Sequence, residues 1–255
     1  MNCRLVPACR QTAQPLPLAL FAPTDRANMT EQTPLQEIEH ALQDACEQAG
    51  RPREQVQLLA VSKTRSADEL AVLADQGQCH FGENYLQEAL DKMDALAERG
   101  LVWHFIGPIQ SNKTRDIAAR FDWVHSVDRL KVARRLSEQR PQTLPPLQVC
   151  IQVNVDDEAS KSGVPLEGVA ELAKAIVDLP NLTLRGLMAI PRADSDDNNR
   201  AAFRQLAMTL SQLRNTMPAL DTLSMGMSAD FGVAIEEGAT LVRLGTALFG
   251  PRPAR

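Results

Sequence analysis

Lys63 follows directly on the apolar run Val56–Ser62. An amine held at the end of a buried run is desolvated, which lowers its pKa and favours the neutral nucleophile that forms a Schiff base with a carbonyl. The competing reading is a lysine that snorkels to solvent or pairs with an acid. Two other segments suit an anion. Ser228 precedes a helical stretch that starts near Ala229-Asp230, and Gly245-Thr246 opens a short segment at 247–250. A hydroxyl, backbone N–H groups and a helix N-terminus together make an anion cup. Taken singly, each reads as structural, N-capping by Ser228 and a tight turn at Gly245; it is their joint position that makes the anion reading compete. Arg243 lies two residues before Gly245, so both point to one face of a strand. A guanidinium buried there is costly without a partner, which a carboxylate or a ligand acceptor would supply.

These groups form one site only if the fold converges them. From residue 34 the chain alternates between two periodicities. Leu35, Ile38, Leu42 and Ala45 follow helical spacing, with Thr33 as N-cap, Pro34 at the first helical position and Gly50 as the stop. Apolar runs follow at 56–62, 79–82, 102–107, 122–127, 147–155, 184–190, 221–226 and 239–244. Helical stretches lie between them, at 66–75, 84–99, 110–120, 128–139, 165–179, 195–215 and 230–237. Near-continuous apolar strands read as parallel strands buried on both faces. Eight of them, each preceded by a helix, predict an α/β fold, a single (β/α)8 TIM barrel, more than an open doubly wound sheet. No GxGxxG follows a strand, so a Rossmann site lacks support. In a TIM barrel, function collects at the C-terminal strand ends, and phosphate is often bound just after strands seven and eight. Lys63 ends strand one; Ser228, Arg243, Gly245 and Thr246 belong to strands seven and eight. An amine, an anion cup and an arginine then suggest a ligand with an aldehyde, a phosphate and a ring acceptor. Pyridoxal 5′-phosphate (PLP) has all three.

Composition narrows the alternatives. The chain has 255 residues, 44% hydrophobic and 23% charged, a globular balance long enough to bury a full core. The net charge of −5 argues against a generally basic nucleic-acid binder. The basic residues Lys113, Arg115, Arg120, Arg129, Lys131, Arg134 and Arg135 read as a solvated face, with too few interleaved aromatics for single strands. No apolar run is long enough for a transmembrane helix. The five cysteines (Cys3, Cys9, Cys46, Cys79 and Cys150) are irregularly spaced, with no CxxC. They predict small buried hydrophobes in a reducing cytoplasm, not a zinc site or a disulfide framework. Residues 1–28, with Arg4, Arg10, Arg26 and four prolines, read as an extension outside the fold. Met29 would be the natural start, and 29–255 the barrel.

The strand-end motifs resemble a known family. Ala60-Val61-Ser62-Lys63-Thr64, Phe81-Gly82-Glu83-Asn84-Tyr85, Trp103-His104-Phe105-Ile106-Gly107, Gln110-Ser111-Asn112-Lys113, Ser160-Lys161-Ser162-Gly163, Gly186-Leu187-Met188-Ala189-Ile190-Pro191, Leu223-Ser224-Met225-Gly226-Met227-Ser228 and Arg243-Leu244-Gly245-Thr246-Ala247 are similar to those of the PLP homeostasis proteins. These are single-domain relatives of the alanine racemase barrel. The resemblance covers residues 34–253. It implies that Lys63 holds PLP as a Schiff base and that Ser228, Gly245 and Thr246 bind its phosphate. It further implies that Arg243 faces the pyridine nitrogen, that Asn84 lies near the cofactor, and that Lys161 takes part in handling PLP.

The family's role implies buffering or delivery of PLP to apo PLP-dependent enzymes, by a cytoplasmic monomer. A weak PLP-dependent racemase is the alternative. Two features favour the carrier. A cation opposite the pyridine nitrogen disfavours its protonation, and an unprotonated ring is a weaker electron sink. The racemase relatives also use a tyrosine base from a second domain, for which only five residues follow Gly250. The one tyrosine, Tyr85, reads as a packing or surface residue, and His104 as a hydrogen-bonded core histidine.

Overall fold

The computed structural model describes residues 32–156, 162–192, 197 and 199–251. Eight parallel strands close into a barrel in sequence order. They are β1 (Gln57–Val61), β2 (His80–Glu83), β3 (Val102–Phe105), β4 (Trp123–Val127), β5 (Leu147–Gln152), β6 (Leu182–Met188), β7 (Thr222–Ser224) and β8 (Leu241–Leu244). β8 pairs back onto β1 with Gln57 opposite Leu241, so no strand edge is left open. Around the barrel run α1 (Pro34–Gln48), α2 (Ala67–Asp75), α3 (Leu86–Ala95), α4 (Thr114–Arg120), α5 (Leu130–Gln139), α6 (Val169–Val177), α7 (Arg200–Arg214) and α8 (Phe231–Glu236), with the single turn α9 (Thr246–Phe249) after β8. The TIM barrel predicted from the alternating periodicities is the observed fold.

Local sequence explains the element ends. Thr33 and Gln36 form a reciprocal capping box on α1, and Ser66 and Glu69 form another on α2. Several elements start or end differently from the periodicity, α4, β7 and α7 among them. α4 begins at Thr114, because 110–113 form a turn in which the Thr114 hydroxyl donates to the Ser111 carbonyl at 3.0 Å. β7 is only three residues long. Gly226 then takes φ +92°, where an added Cβ would lie 2.7 Å from the Ala234 Cβ. α7 begins at Arg200, and the acidic loop before it lies largely outside the described residues.

The main core lies between the sheet and the helices, as the amphipathic helix spacing requires. Inside the barrel the filling is different. A small apolar layer of Leu59, Ile106 and Leu241 and another of Trp123, Cys150 and Met188 flank a polar column. That column contains His80, His104 and His125. His80 Nδ1 lies 2.9 Å from His104 Nε2, and His104 Nδ1 lies 2.9 Å from His125 Nε2. His104 is thus a core histidine with both ring nitrogens engaged, as its Trp-His-Phe context predicts. The cysteines also follow expectation in part. Cys46 and Cys150 are buried and Cys79 partly so, while Cys3 and Cys9 lie outside the described residues. Burial pushes the Cys150 thiol up to about 12, which makes it inert.

Burial keeps the three histidines neutral. It pulls His80 down to about 4 and His125 to about 3, and His104 well below its ordinary value. The unfolded chain therefore takes up protons first as the pH falls below about 6.5. Stability is complete above that pH. It should be lost through the window from 6.5 to 4 for His80 and on toward 3 for His125, at up to about 1.4 kcal/mol per pH unit for each histidine. Urea midpoints measured from pH 7 to pH 4.5 should fall steadily, and His80→Asn should flatten that slope.

Candidate functional site

The six residues singled out in the sequence line one cavity of about 300 Å³ at the C-terminal mouth of the barrel. Lys63 comes from the turn after β1, and Asn84 from the β2–α3 connection. Ser228 comes from the β7–α8 loop, Arg243 from β8, and Gly245 and Thr246 from the start of α9. The volume lies at the lower end of the range for small-molecule sites, roughly 300–1,000 Å³. Tyr85 does not line it; it precedes α3 and is 50% exposed. Lys161 lies outside the described residues.

Lys63 sits between two anchored neighbours. On one side the Ser62 hydroxyl donates to Glu83 Oε1 at 2.6 Å, and Lys92 Nζ donates to the Ser62 carbonyl at 2.7 Å. On the other side the Thr64 amide donates to Glu88 Oε1 at 2.6 Å. Lys92 joins the two by ion pairs to Glu83 at 2.8 Å and Glu88 at 2.5 Å. Thr64 holds φ +65°, a left-handed conformation that a β-branched residue keeps only when its surroundings impose it. Burial pushes the Glu83 carboxyl above its ordinary value, and Lys92 opposes that shift. Sequence reasoning missed Lys92 and Glu88. Their i,i+4 spacing on α3 is the only signal, and it reads the same on a solvated helix face.

The side of the cavity lined by Ser228, Gly245 and Thr246 resolves one ambiguity. α8 is preceded not by Ser228 but by Asp230, whose carboxylate accepts from the Met227 amide at 2.6 Å and from Asn199 Nδ2 at 2.8 Å. The reading of Ser228 as a simple N-cap therefore falls. Its hydroxyl lines the cavity instead, and it caps no helix among the described residues. Gly245 packs its α-carbon against β1, where a Cβ would meet the Val61 carbonyl oxygen at 3.1 Å. Thr246 opens the first turn of α9, where amide N–H groups have no intrahelical acceptor.

Arg243 forms the floor. It is 4% exposed, and its Nη1 donates to the Ser224 carbonyl at 2.6 Å and the Ser224 hydroxyl at 2.8 Å. Nη2 donates to the Ala189 carbonyl at 2.8 Å. Burial lowers its pKa to about 10, which still leaves a cation at neutral pH. Asn84 Oδ1 is buried with no hydrogen-bond partner among the described residues. The Asn84 backbone is held by close approach to Gly107, where a Cβ would come within 2.2 Å of the Asn84 carbonyl oxygen. An immobilised, unsatisfied acceptor beside a cavity marks a place for a donor.

Barrel and cavity together define a class: (β/α)8 proteins whose mouth cavity is lined by a lysine at the end of the first strand and by Ser, Gly and Thr residues after the last two. Residues 34–253 match the family model described as alanine racemase, N-terminal domain. A pyridoxal phosphate homeostasis protein of Pseudomonas aeruginosa is 58% identical over 212 residues, covering 83% of this chain and 91% of that protein. One from Vibrio cholerae is 54% identical over 225 residues, covering 85% and 95%. Among solved structures, PipY of Synechococcus elongatus with PLP bound superposes with a TM-score of 0.72 at 34% identity, covering 82% of this chain and 99% of that one. The chain belongs to the family of pyridoxal phosphate homeostasis proteins.

The brace around Lys63 can be tested apart from any ligand. Lys92→Met should cost about 3–5 kcal/mol in urea unfolding, because it strands the buried Glu83 carboxylate. Adding Glu83→Gln to it should recover part of that loss.

Proposed function

We propose that this chain binds PLP through Lys63 and holds it for delivery to apo PLP-dependent enzymes, without robust catalysis. The observation that carries the reading is the convergence of three different handles in one cavity: an amine, an anion cup and a buried guanidinium. PLP, when bound, supplies an aldehyde, a phosphate and a conjugated ring. Lys63 Nζ would be the amine that meets the aldehyde as a Schiff base, with loss of water. The Ser228 hydroxyl and the backbone at Gly245 and Thr246 suit the phosphate. The unsatisfied Asn84 Oδ1 would accept a hydrogen bond from the ligand.

Arg243 decides the chemical character of the site. A guanidinium has donors only, so it can serve a ring nitrogen only while that nitrogen is unprotonated. Its cationic charge further disfavours ring protonation. The ring is then a poor sink for carbanion charge, which fits holding and releasing the cofactor better than proton abstraction. The relatives from Pseudomonas aeruginosa and Vibrio cholerae carry a homeostasis name, not an enzyme name. We further propose a monomer working in the cytoplasm. Among the described residues no helix is long and apolar enough to cross a membrane.

The purified protein incubated with PLP should show an absorbance band near the visible edge. Borohydride should trap the adduct, and peptide mass spectrometry should find it on Lys63. Lys63→Ala should lose the band. Holo-protein mixed with an apo PLP enzyme should restore activity faster than free PLP does. Rapid interconversion of L- and D-alanine, read by chiral chromatography, would instead support the racemase.

A further inference from the structure

Arg243 is the upper end of a hydrogen-bonded chain that crosses the barrel interior. Its Nη1 donates to Ser224 Oγ at 2.8 Å, and Ser224 Oγ lies 2.8 Å from His125 Nδ1. From there the chain runs through His104 to His80, the first residue of β2, at 2.9 Å per step. His80 lines a second cavity at the opposite, N-terminal mouth, together with Arg51, Arg185 and Asp221. Every ring nitrogen between Ser224 and His80 is used.

The direction of the chain follows from hydrogen counting. Arginine can only donate, so Ser224 Oγ must accept from it. Ser224 is fully buried and has one hydroxyl proton to place. If His125 Nδ1 were protonated, Ser224 Oγ would accept twice and its own proton would face no acceptor among the described residues, at the cost of an unmade buried hydrogen bond. The hydroxyl therefore donates to His125 Nδ1. That leaves the His125 proton on Nε2, donating to His104 Nδ1. His104 Nε2–H then donates to His80 Nδ1, and His80 Nε2–H faces the lower mouth. Every donor points away from Arg243. Each link polarises the next, which strengthens the Ser224 oxygen as an acceptor for the guanidinium.

We infer that Ser224, His125, His104 and His80 form a one-way donor chain that positions Arg243 for the ring nitrogen of the ligand. These are positioning residues, since they act through Ser224 on Arg243. The role assigned to Arg243 rests on the PLP reading proposed above; the proton arrangement does not. Burial supports that arrangement by holding all three histidines neutral.

Two measurements on the full chain test it. In the first, 15N NMR of the ligand-free protein should show all three histidines neutral with the proton on Nε2. A proton on Nδ1 of any of them overturns the chain. In the second, PLP is compared with a carbocyclic analogue in which C–H replaces the ring nitrogen. Ser224→Ala should weaken PLP binding about tenfold and leave the analogue within about twofold. His125→Phe should behave alike, and the double variant should be no worse than either single one. Equal losses for both ligands would make the chain merely structural and overturn the positioning role. Should His125→Phe fail to fold, Ser224→Ala carries the comparison alone. Wild-type protein that binds neither ligand would refute the PLP reading, and the NMR result would still decide the chain.

Discussion

A guanidinium inside a barrel must find acceptors, because an isolated buried cation costs more than the fold can supply. Arg243 meets that constraint with two backbone carbonyls and one hydroxyl, from Ala189 and Ser224. The consequences spread outward. Ser224 turns its proton toward His125, and the interior column is histidine where barrels usually carry Val, Ile and Leu. β7 ends at Ser224, and the acceptors come from the ends of two neighbouring strands. The cation is thus built into the closure of the sheet, and its place at the mouth does not depend on a mobile loop.

Lys63 is held by a different device. It stands in a turn, which by itself would leave it free to wander. The buried Glu83–Lys92 pair grips Ser62, Glu88 grips Thr64, and Lys92 joins the two, tying the end of β1 to β2 and α3. The left-handed Thr64 is the local strain that this grip sustains. Arg243 and Lys63 both line the cavity, and the guanidinium of the one and the backbone on either side of the other are thus held before any ligand arrives. Such pre-organisation favours binding, since little ordering entropy is left to lose when a ligand arrives.

The same arrangement bears on the holding role proposed above. Racemisation needs a ring that accepts charge and a second base opposite the lysine. A cationic donor at the ring nitrogen works against the first. Tyr85, half-exposed and away from the cavity, does not meet the second. On the function proposed above, the electrostatics of Arg243 and the position of Tyr85 favour holding over racemisation, two functions that a shared fold leaves open.

Much of the architecture was legible in the sequence, because it rests on local rules. Eight apolar runs alternating with helical spacing led to the closed barrel, and capping residues such as Thr33 and Ser66 marked helix starts. Lys63, Asn84, Ser228, Arg243, Gly245 and Thr246 could be named from strand-end positions and family motifs, since topology brings all strand ends to one mouth. Contacts between distant strands were not legible. Nothing local distinguishes Lys92 on a buried helix face from a solvated lysine, or tells that Asp230 and not Ser228 stands at the N-terminal boundary of α8. The histidine column is the clearest case. His80, His104, His125 and Ser224 are scattered over four strands, and only the stagger of the closed sheet sets their rings end to end. Sequence pattern thus settled which residues share a face and which end of the barrel they reach. Tertiary closure decided which of them touch, because hydrogen bonds across the barrel depend on register and burial that no single segment carries.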